Sequence, residues 1–363
     1  MSELKVDKVS PRTGTYVSLN TVGMKNIVIN GDMSLAQRST SVASITTGGY
    51  KTLDRFEMAM DSVGTWTMSQ STDTPTGQGF ANSLKLDCTT ADAAPAAGDY
   101  LIIIQKFEGQ NLQYLKKGTA SALSLTASFW VKSTKTGTFI CEIFDNDNSR
   151  QISASYTVNV TNTWEFKTIT FPGDTTGTLN NDNGTSLTLR FWLVAGSTYS
   201  SGTLATSWAS NVNANAAVGQ VNIADSTSND FYITGVQLEA GTTASDFEFL
   251  PVDVNLNRCQ RYFELIADNH SQIIGVASCF EDGSSAIGHY FVTKRTVPTL
   301  YQTTGTNYYT MYRAGVHNWS TQIYLAYASK YSADLYLPIG TTDQSFLFLA
   351  GNASSKIALQ AEL

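Results

Sequence analysis

Between Tyr301 and Tyr336 the chain carries eight of its seventeen tyrosines, together with His317 and Trp319. Side chains of this kind suit sugars: a rigid ring stacks on the apolar C–H face of a pyranose while polar edges pair with its hydroxyls. Strand alternation sends neighbours to opposite faces, so only one of Tyr308 and Tyr309 points inward, and Tyr312 shares a face with Thr310 and Tyr308. The expected ligand contacts are the residues at or beside Gly- and Asn-rich turns: Tyr308, Tyr309, Tyr312, His317, Asn318, Trp319 and Tyr331. Packing inside a trimeric core is the competing use of the same aromatics.

Catalytic chemistry is harder to place. The histidines are His270, His289 and His317, and no Gly-x-Ser-x-Gly elbow accompanies them. Glycoside cleavage needs only two carboxylates about 5–10 Å apart. Thirty Asp and Glu leave such a pair open, yet Glu281, Asp282, Asp145 and Asp147 read as ordinary loop carboxylates, and no catalytic residue is assigned. Cys88, Cys141, Cys259 and Cys279 have no C-x-x-C spacing and read as small buried hydrophobes. Asp145-Asn146-Asp147-Asn148 lacks the glycine and the bidentate Glu of a calcium loop and reads as a turn. No metal or other cofactor is expected. There is no P-loop or dinucleotide fingerprint.

The elements that must position these residues are short. Period-2 or aliphatic runs over residues 123–131, 138–144, 151–160, 164–171, 186–194 and 230–238 are separated by Gly, Asn, Asp and Thr clusters, which predicts an antiparallel sandwich or jelly roll. Residues 196–229, rich in Ser, Ala and Asn, read as a long surface loop anchored by Trp208. The period changes at Pro251: Val252, Leu256, Cys259, Phe263 and Ile266 recur at spacings of 4, 3, 4 and 3, a helical stripe over 251–267 that Asp253 or Asn255 can cap. Such a stripe either packs on the neighbouring sandwich or forms the seam of a short coiled coil marking an oligomer axis. Seven further strands are expected at 271–280, 286–294, 308–313, 322–328, 334–338, 345–349 and 357–361, enough for one more sandwich. Residues 1–24 hold too few apolar side chains to bury a core and must pack on the next domain, sister chains or a partner.

Composition narrows the class. With 363 residues, 42% hydrophobic and 15% charged, the chain is long enough for two or three folded domains. A formal net charge of −7 argues against a broad nucleic-acid-binding face. No apolar run approaches the roughly 20 residues of a membrane helix, and residues 1–7 lack a signal-peptide core. The expectation is an all-β protein with a Thr-rich, charge-poor surface suited to the outside of a cell or particle.

Several stretches resemble bacteriophage tail-fibre and appendage proteins. Lys5-Val6-Asp7-Lys8-Val9-Ser10-Pro11-Arg12-Thr13-Gly14-Thr15 is similar to the opening of many of them. Asn26-Ile27-Val28-Ile29-Asn30-Gly31-Asp32-Met33, Gln37-Arg38 and Leu53-Asp54-Arg55-Phe56 resemble the start of their lectin-like jelly roll. Ile233-Thr234-Gly235-Val236-Gln237-Leu238-Glu239-Ala240-Gly241, Asp246-Phe247-Glu248 and Cys259-Gln260-Arg261-Tyr262-Phe263-Glu264 resemble its closing text. Lys294-Arg295-Thr296-Val297-Pro298-Thr299 and Ala361-Glu362-Leu363 resemble the distal head domain. The resemblance implies a segment 1–24 that attaches to another virion protein, a lectin-like jelly roll at 25–250, a connecting helix at 251–267 and a β-sandwich head at 268–363. It also implies a homotrimer, made in the bacterial cytoplasm and placed on the virion, that attaches to host cell-envelope polysaccharide. A purely structural virion role and a glycan depolymerase are the alternatives. The opening also resembles jelly-roll carbohydrate-binding modules that hold a structural calcium, but Thr234-Gly235 stand where their carboxylate pair is expected. Asp32 and Glu239 alone cannot supply the six or more oxygens of that ion.

Overall fold

The computed structural model describes residues 24–269, 272–279, 285–313, 316–337, 345–350 and 355–363; His270, Glu281, Asp282 and the expected attachment segment up to residue 23 lie outside them. Two antiparallel sheets face each other. One runs Ser41–Ile45, Thr65–Ser71, Ser83–Thr90, Asp230–Ala240, Leu125–Ser133, Glu165–Phe171; the other runs Ala209–Ser210, Arg150–Val158, Gly137–Asp145, Thr185–Ala195, Tyr100–Glu108, Glu57–Asp61, Gly49–Tyr50. Alternation is what makes the sandwich: Trp66, Met68, Leu84, Leu86, Phe129, Val131, Phe231 and Ile233 of the first sheet meet Met58, Leu101, Ile103, Phe139, Ile143, Leu189 and Phe191 of the second in one continuous core.

The Asn26-to-Asp32 segment clasps the closing strand. The Ile27 amide donates to Leu238 O (2.8 Å) and Val236 to Gly31 O (2.9 Å), while Asn26 Oδ1 accepts from Val28 and Leu238. A Cβ on Gly31 would lie 2.0 Å from Val236 O, so only glycine fits there.

After the sandwich comes a helix, Val252–Gln260, and it is shorter than its stripe. Phe263 and Ile266 stand on a strand, Phe263–Ala267, that pairs with Ile357–Gln360. The oligomer seam is therefore not a continuous helical face. Val252 is exposed and Leu256 half-buried, whereas Cys259 and Phe263 are fully buried in their own chain. The break has a local cause: Arg261 forks onto Glu108 with two 2.7 Å bonds and the Tyr262 hydroxyl donates to the same carboxylate, which anchors the turn to the sandwich. Neither expected residue caps the helix; the N-cap is Pro251, and Asn255 instead accepts the Asn30 amide proton (3.2 Å).

The remaining strands form a three-stranded sheet (Phe263–Ala267, Ile357–Gln360, Thr299–Gln302) and a seven-stranded one running Val316–Ser320, Tyr309–Arg313, Ser345–Ala350, Ile273–Cys279, Ser285–Tyr290, Ser332–Leu337, Tyr324–Ala326. They enclose a smaller core of Ala267, Ala277, Ile287, Tyr309, Met311, Leu335, Leu337 and Ile357. Buried charge joins it to the sandwich. Glu362 bridges the guanidinium groups of Arg38 and Arg55, each 1% exposed, while Arg38 stacks over Phe263 and Arg55 over Tyr262.

Candidate functional site: a cleft on the seven-stranded sheet of the sandwich

Thr185–Ala195 turns Thr188, Arg190 and Trp192 away from the core. Glu142 and Phe144 of Gly137–Asp145 lie beside them, with Arg190 in register with Glu142. On the other side come Ile102 and Ile104, opposite Trp192 and Arg190. Residues 196–229 do not run free over the surface. They fold back on this outer face, so that Ala216 and Ala217 cover Ile140 and Trp192, and Trp208 Nε1 ties the segment to Pro172 O (2.7 Å). Between this wall and the sheet is a cavity of about 260 Å3 lined by Tyr100, Ile104, Phe144, Tyr199, Asn211 and Asn213, with Glu142, Arg190 and Trp192 at its base.

Its chemistry converges on one carboxylate. Glu142 is fully buried; it accepts the indole N–H of Trp192 at 2.8 Å and faces Arg190 Nη1 at 3.4 and 3.5 Å. Burial pushes its pKa above the usual carboxylate range, against the pull of Arg190 and the Trp192 bond. Tyr199 packs edge-on against Tyr100 and tilted against Trp192, with centroids 5.4 and 5.3 Å away. Apolar walls around a few convergent polar groups are the usual composition of a small-ligand pocket, and the volume lies just below the common range of about 300–1,000 Å3.

The other sandwich sheet carries a wider hollow, about 630 Å3, between Trp130, Phe166 and the mutually packed Phe80, Phe247 and Phe249. Phenyl rings dominate it, and it has no buried charged group. Trp130 and Trp164 are half-buried on this outer face, where Lys132 pairs with Asp73 near Trp164 and Tyr232. Trp192 is buried on the outer face beneath residues 196–229, whereas Trp66 lies in the core between the sheets.

The residues expected to bind ligand divide. Tyr312, His317 and Trp319 come together on one face of the hairpin Tyr309–Arg313/Val316–Ser320. The His317 ring lies 4.7 Å from Tyr312 and stacks at 12° on Trp319, 4.9 Å away. Asn318 turns to the opposite face, alongside buried Met311. Tyr308 is half-buried at the hairpin's start. Tyr309 is a core residue, 0% exposed, its hydroxyl donating to Thr303 O and Lys356 O, and cannot touch a ligand. Tyr331 is exposed but precedes Ser332–Leu337, four strands away from the hairpin.

One expectation about a carboxylate also changes. Asp145 is no ordinary loop acid: it is fully buried, and the Lys117 ammonium sits among Asp145, Asp174 and Gly177 O beneath Trp208, where a cation would otherwise be needed. Glu239 is taken up by Gln237 and Ser245, and Asp32 by Ser34 and Asn255. Among the described residues no group of three or more His, Cys, Asp or Glu is placed to hold a metal ion. Cys88, Cys141 and Cys259 are buried free thiols.

The cleft was missed because its parts are scattered over residues 100–216 and none makes a motif. The available signal was a charge in an apolar strand: Glu142 and Arg190 are the lone charged residues inside Phe139–Phe144 and Leu187–Val194.

The architecture is an all-β, two-sheet antiparallel sandwich followed by a smaller β domain. No protein-family model matches the chain, and no curated protein does. Among solved structures it is similar to the enzymatically active domain of bacteriophage CBA120 tailspike protein 4, at 15% identity and TM-score 0.32 over 60% of this chain and 21% of that one. The chain thus spans about a fifth of that tailspike's length. It is also similar to TmCBM61 in complex with β-1,4-galactotriose (11%, TM-score 0.29, 60% and 99% covered). A third is the family 11 carbohydrate-binding module of Clostridium thermocellum in complex with a β-1,3-1,4-mixed-linked tetrasaccharide (12%, TM-score 0.28, 55% and 100% covered).

Proposed function

We propose that the protein binds glycan without turning it over, as the adhesive part of a phage appendage, and that the cleft on the seven-stranded sheet holds the sugar. The observation that carries this reading is the Glu142–Arg190–Trp192 cluster at the base of a cavity walled by Tyr100, Tyr199 and Phe144. Aromatic walls suit pyranose C–H faces, and the partly exposed Arg190 guanidinium, held over buried Glu142, suits hydroxyl oxygens that accept. The appendage setting rests on the resemblance of residues 5–15, 26–33 and 233–264. Attachment to the virion through residues 1–24, placement on the tail and a homotrimer belong to the same proposal. Exposed Ile273, Val276, Tyr290 and Val316 on the distal sheet support assembly with further copies. Several heads on one particle convert weak single-site affinities into avid attachment.

The Tyr312–His317–Trp319 stack favours a second reading, in which the distal hairpin meets the sugar. Titration of purified protein with host envelope polysaccharide separates the two. Tyr199→Ala should weaken binding at least tenfold with unchanged circular dichroism, and Trp319→Ala should not; the reverse result moves the site to the hairpin. Absence of binding by the wild-type chain overturns the adhesive reading, and shortened polysaccharide chains after incubation overturn the non-catalytic one.

A further inference from the structure

Resting on that reading of the cleft, we propose that the glycan it selects is anionic, and that Arg190 is the specificity-determining residue that receives the sugar's carboxylate or phosphate.

Comparison within the molecule makes Arg190 unusual. Arg261 grips Glu108 with two 2.7 Å bonds, and Arg150 grips Asp174 at 2.7 and 3.0 Å. These are the short, two-pronged contacts that a guanidinium and a carboxylate form when they meet edge to edge. Arg190 stands in register with fully buried Glu142, yet approaches it only through Nη1, at 3.4 and 3.5 Å. Glu142 makes its short bond to Trp192 instead. Arg190 Nε is buried without a hydrogen-bond partner among the described residues. The guanidinium carbon lies over the Phe144 ring, 4.0 Å from its centroid. That contact holds the group at the base of the cavity, where the side chain keeps 21% exposure.

A cation so held is only weakly engaged: Nη1 makes two long contacts to Glu142, and Nε has no acceptor among the described residues. A hydroxyl can take one N–H; a planar carboxylate or a phosphate takes two at once, which both strengthens and orients the contact. The other charges on this face do not claim it. Lys106 pairs with Glu57 at 2.7 Å, and Asp61 stands opposite Tyr100, at the far end of the strand pair from Lys106. Burial also disfavours the charged form of Glu142, which weakens its claim on the guanidinium. A neutral glucan would leave Arg190 half-satisfied; an anionic sugar completes it.

The test uses the full chain and matched polymer pairs: polygalacturonate, alginate and hyaluronate, each against its carboxyl-reduced form, and dextran phosphate against dextran. Wild-type protein should bind the anionic member of at least one pair ten times more tightly, with the preference falling as salt rises. The responding pairs separate carboxylate from phosphate. Arg190→Gln should abolish the preference while keeping neutral binding. If Arg190→Gln does not fold, Arg190→Lys keeps the charge without the fork and should cut the preference severalfold. Equal affinity within every pair overturns the anionic assignment while leaving the glycan reading intact. Binding to none of the eight polymers overturns both, and a preference unchanged in Arg190→Gln or Arg190→Lys removes Arg190 from the role.

Discussion

Arg55 shows how one side chain is given its meaning by a residue far along the chain. In the sequence it stands beside Asp54 and Phe56 as a plausible buried cation; in the fold its partner is Glu362, with the Tyr262 ring 3.6 Å from the guanidinium carbon. Removing one member of such a pair strands the other in a dry interior. Glu362→Gln and Arg55→Met should each lower unfolding free energy by about 3–5 kcal/mol, read by chemical denaturation. Asp54 beside it predicts a pH effect. Burial pushes its pKa up to about 6 from 3.8, although the amide N–H and side chain of Gln37 donate to it. The folded state therefore holds this proton more tightly than the unfolded chain. The resulting stabilisation is complete below about pH 4 and lost as pH rises through 6, worth about 3 kcal/mol for a shift of this size. Asp54→Asn should flatten that part of the stability–pH curve; an unchanged slope between pH 4 and 6 would assign it to other groups.

Elements were legible to very different degrees. Strands with clean alternation and a turn on each side, such as Leu125–Ser133 and Glu165–Phe171, are found within two residues of where the pattern puts them. The helix was half legible. Its stripe is real as far as Cys259, but the same apolar residues suit a strand once Ile357–Gln360 is there to pair, and pairing is a tertiary fact absent from local periodicity. The segment 196–229 is the surface loop anchored by Trp208 that its composition predicts, but its buried part was not legible, for a related reason. Small residues such as Ala216 and Ala217 bury well without looking hydrophobic, so the wall of the cleft had the composition of a loop. The candidate site fared worst, because two charges on separate strands form a site only through the register of Arg190 with Glu142. At this scale Gly31→Ala is informative. Its methyl meets Val236 O, so the clasp on the closing strand must open, at a cost of about 1–3 kcal/mol. Amide exchange should show the loss first at Val236 and Leu238.

For the whole molecule the prediction concerns assembly. Since the helical stripe is interrupted and Cys259 and Phe263 are buried within their own chain, the proposed trimer is expected to form without that seam. Sedimentation should give three times the chain mass, unchanged by Val252→Asp. A stable monomer would overturn the proposed assembly, and a Val252→Asp variant that dissociates would restore the seam. Apolar residues of the distal sheet are the better target, and Val276→Asp should reduce the mass where Val252→Asp does not.

The Arg55–Glu362 contact spans 307 positions. As the polypeptide leaves the ribosome, the sandwich strands are made long before the carboxylate that neutralises Arg38 and Arg55. A nascent sandwich thus holds two guanidinium groups that cannot be sealed from water until the distal strands have also been translated. Its early intermediate should stay hydrated and open at that edge, which delays closure of the larger core until the smaller one exists and makes the pair fold as a single late event.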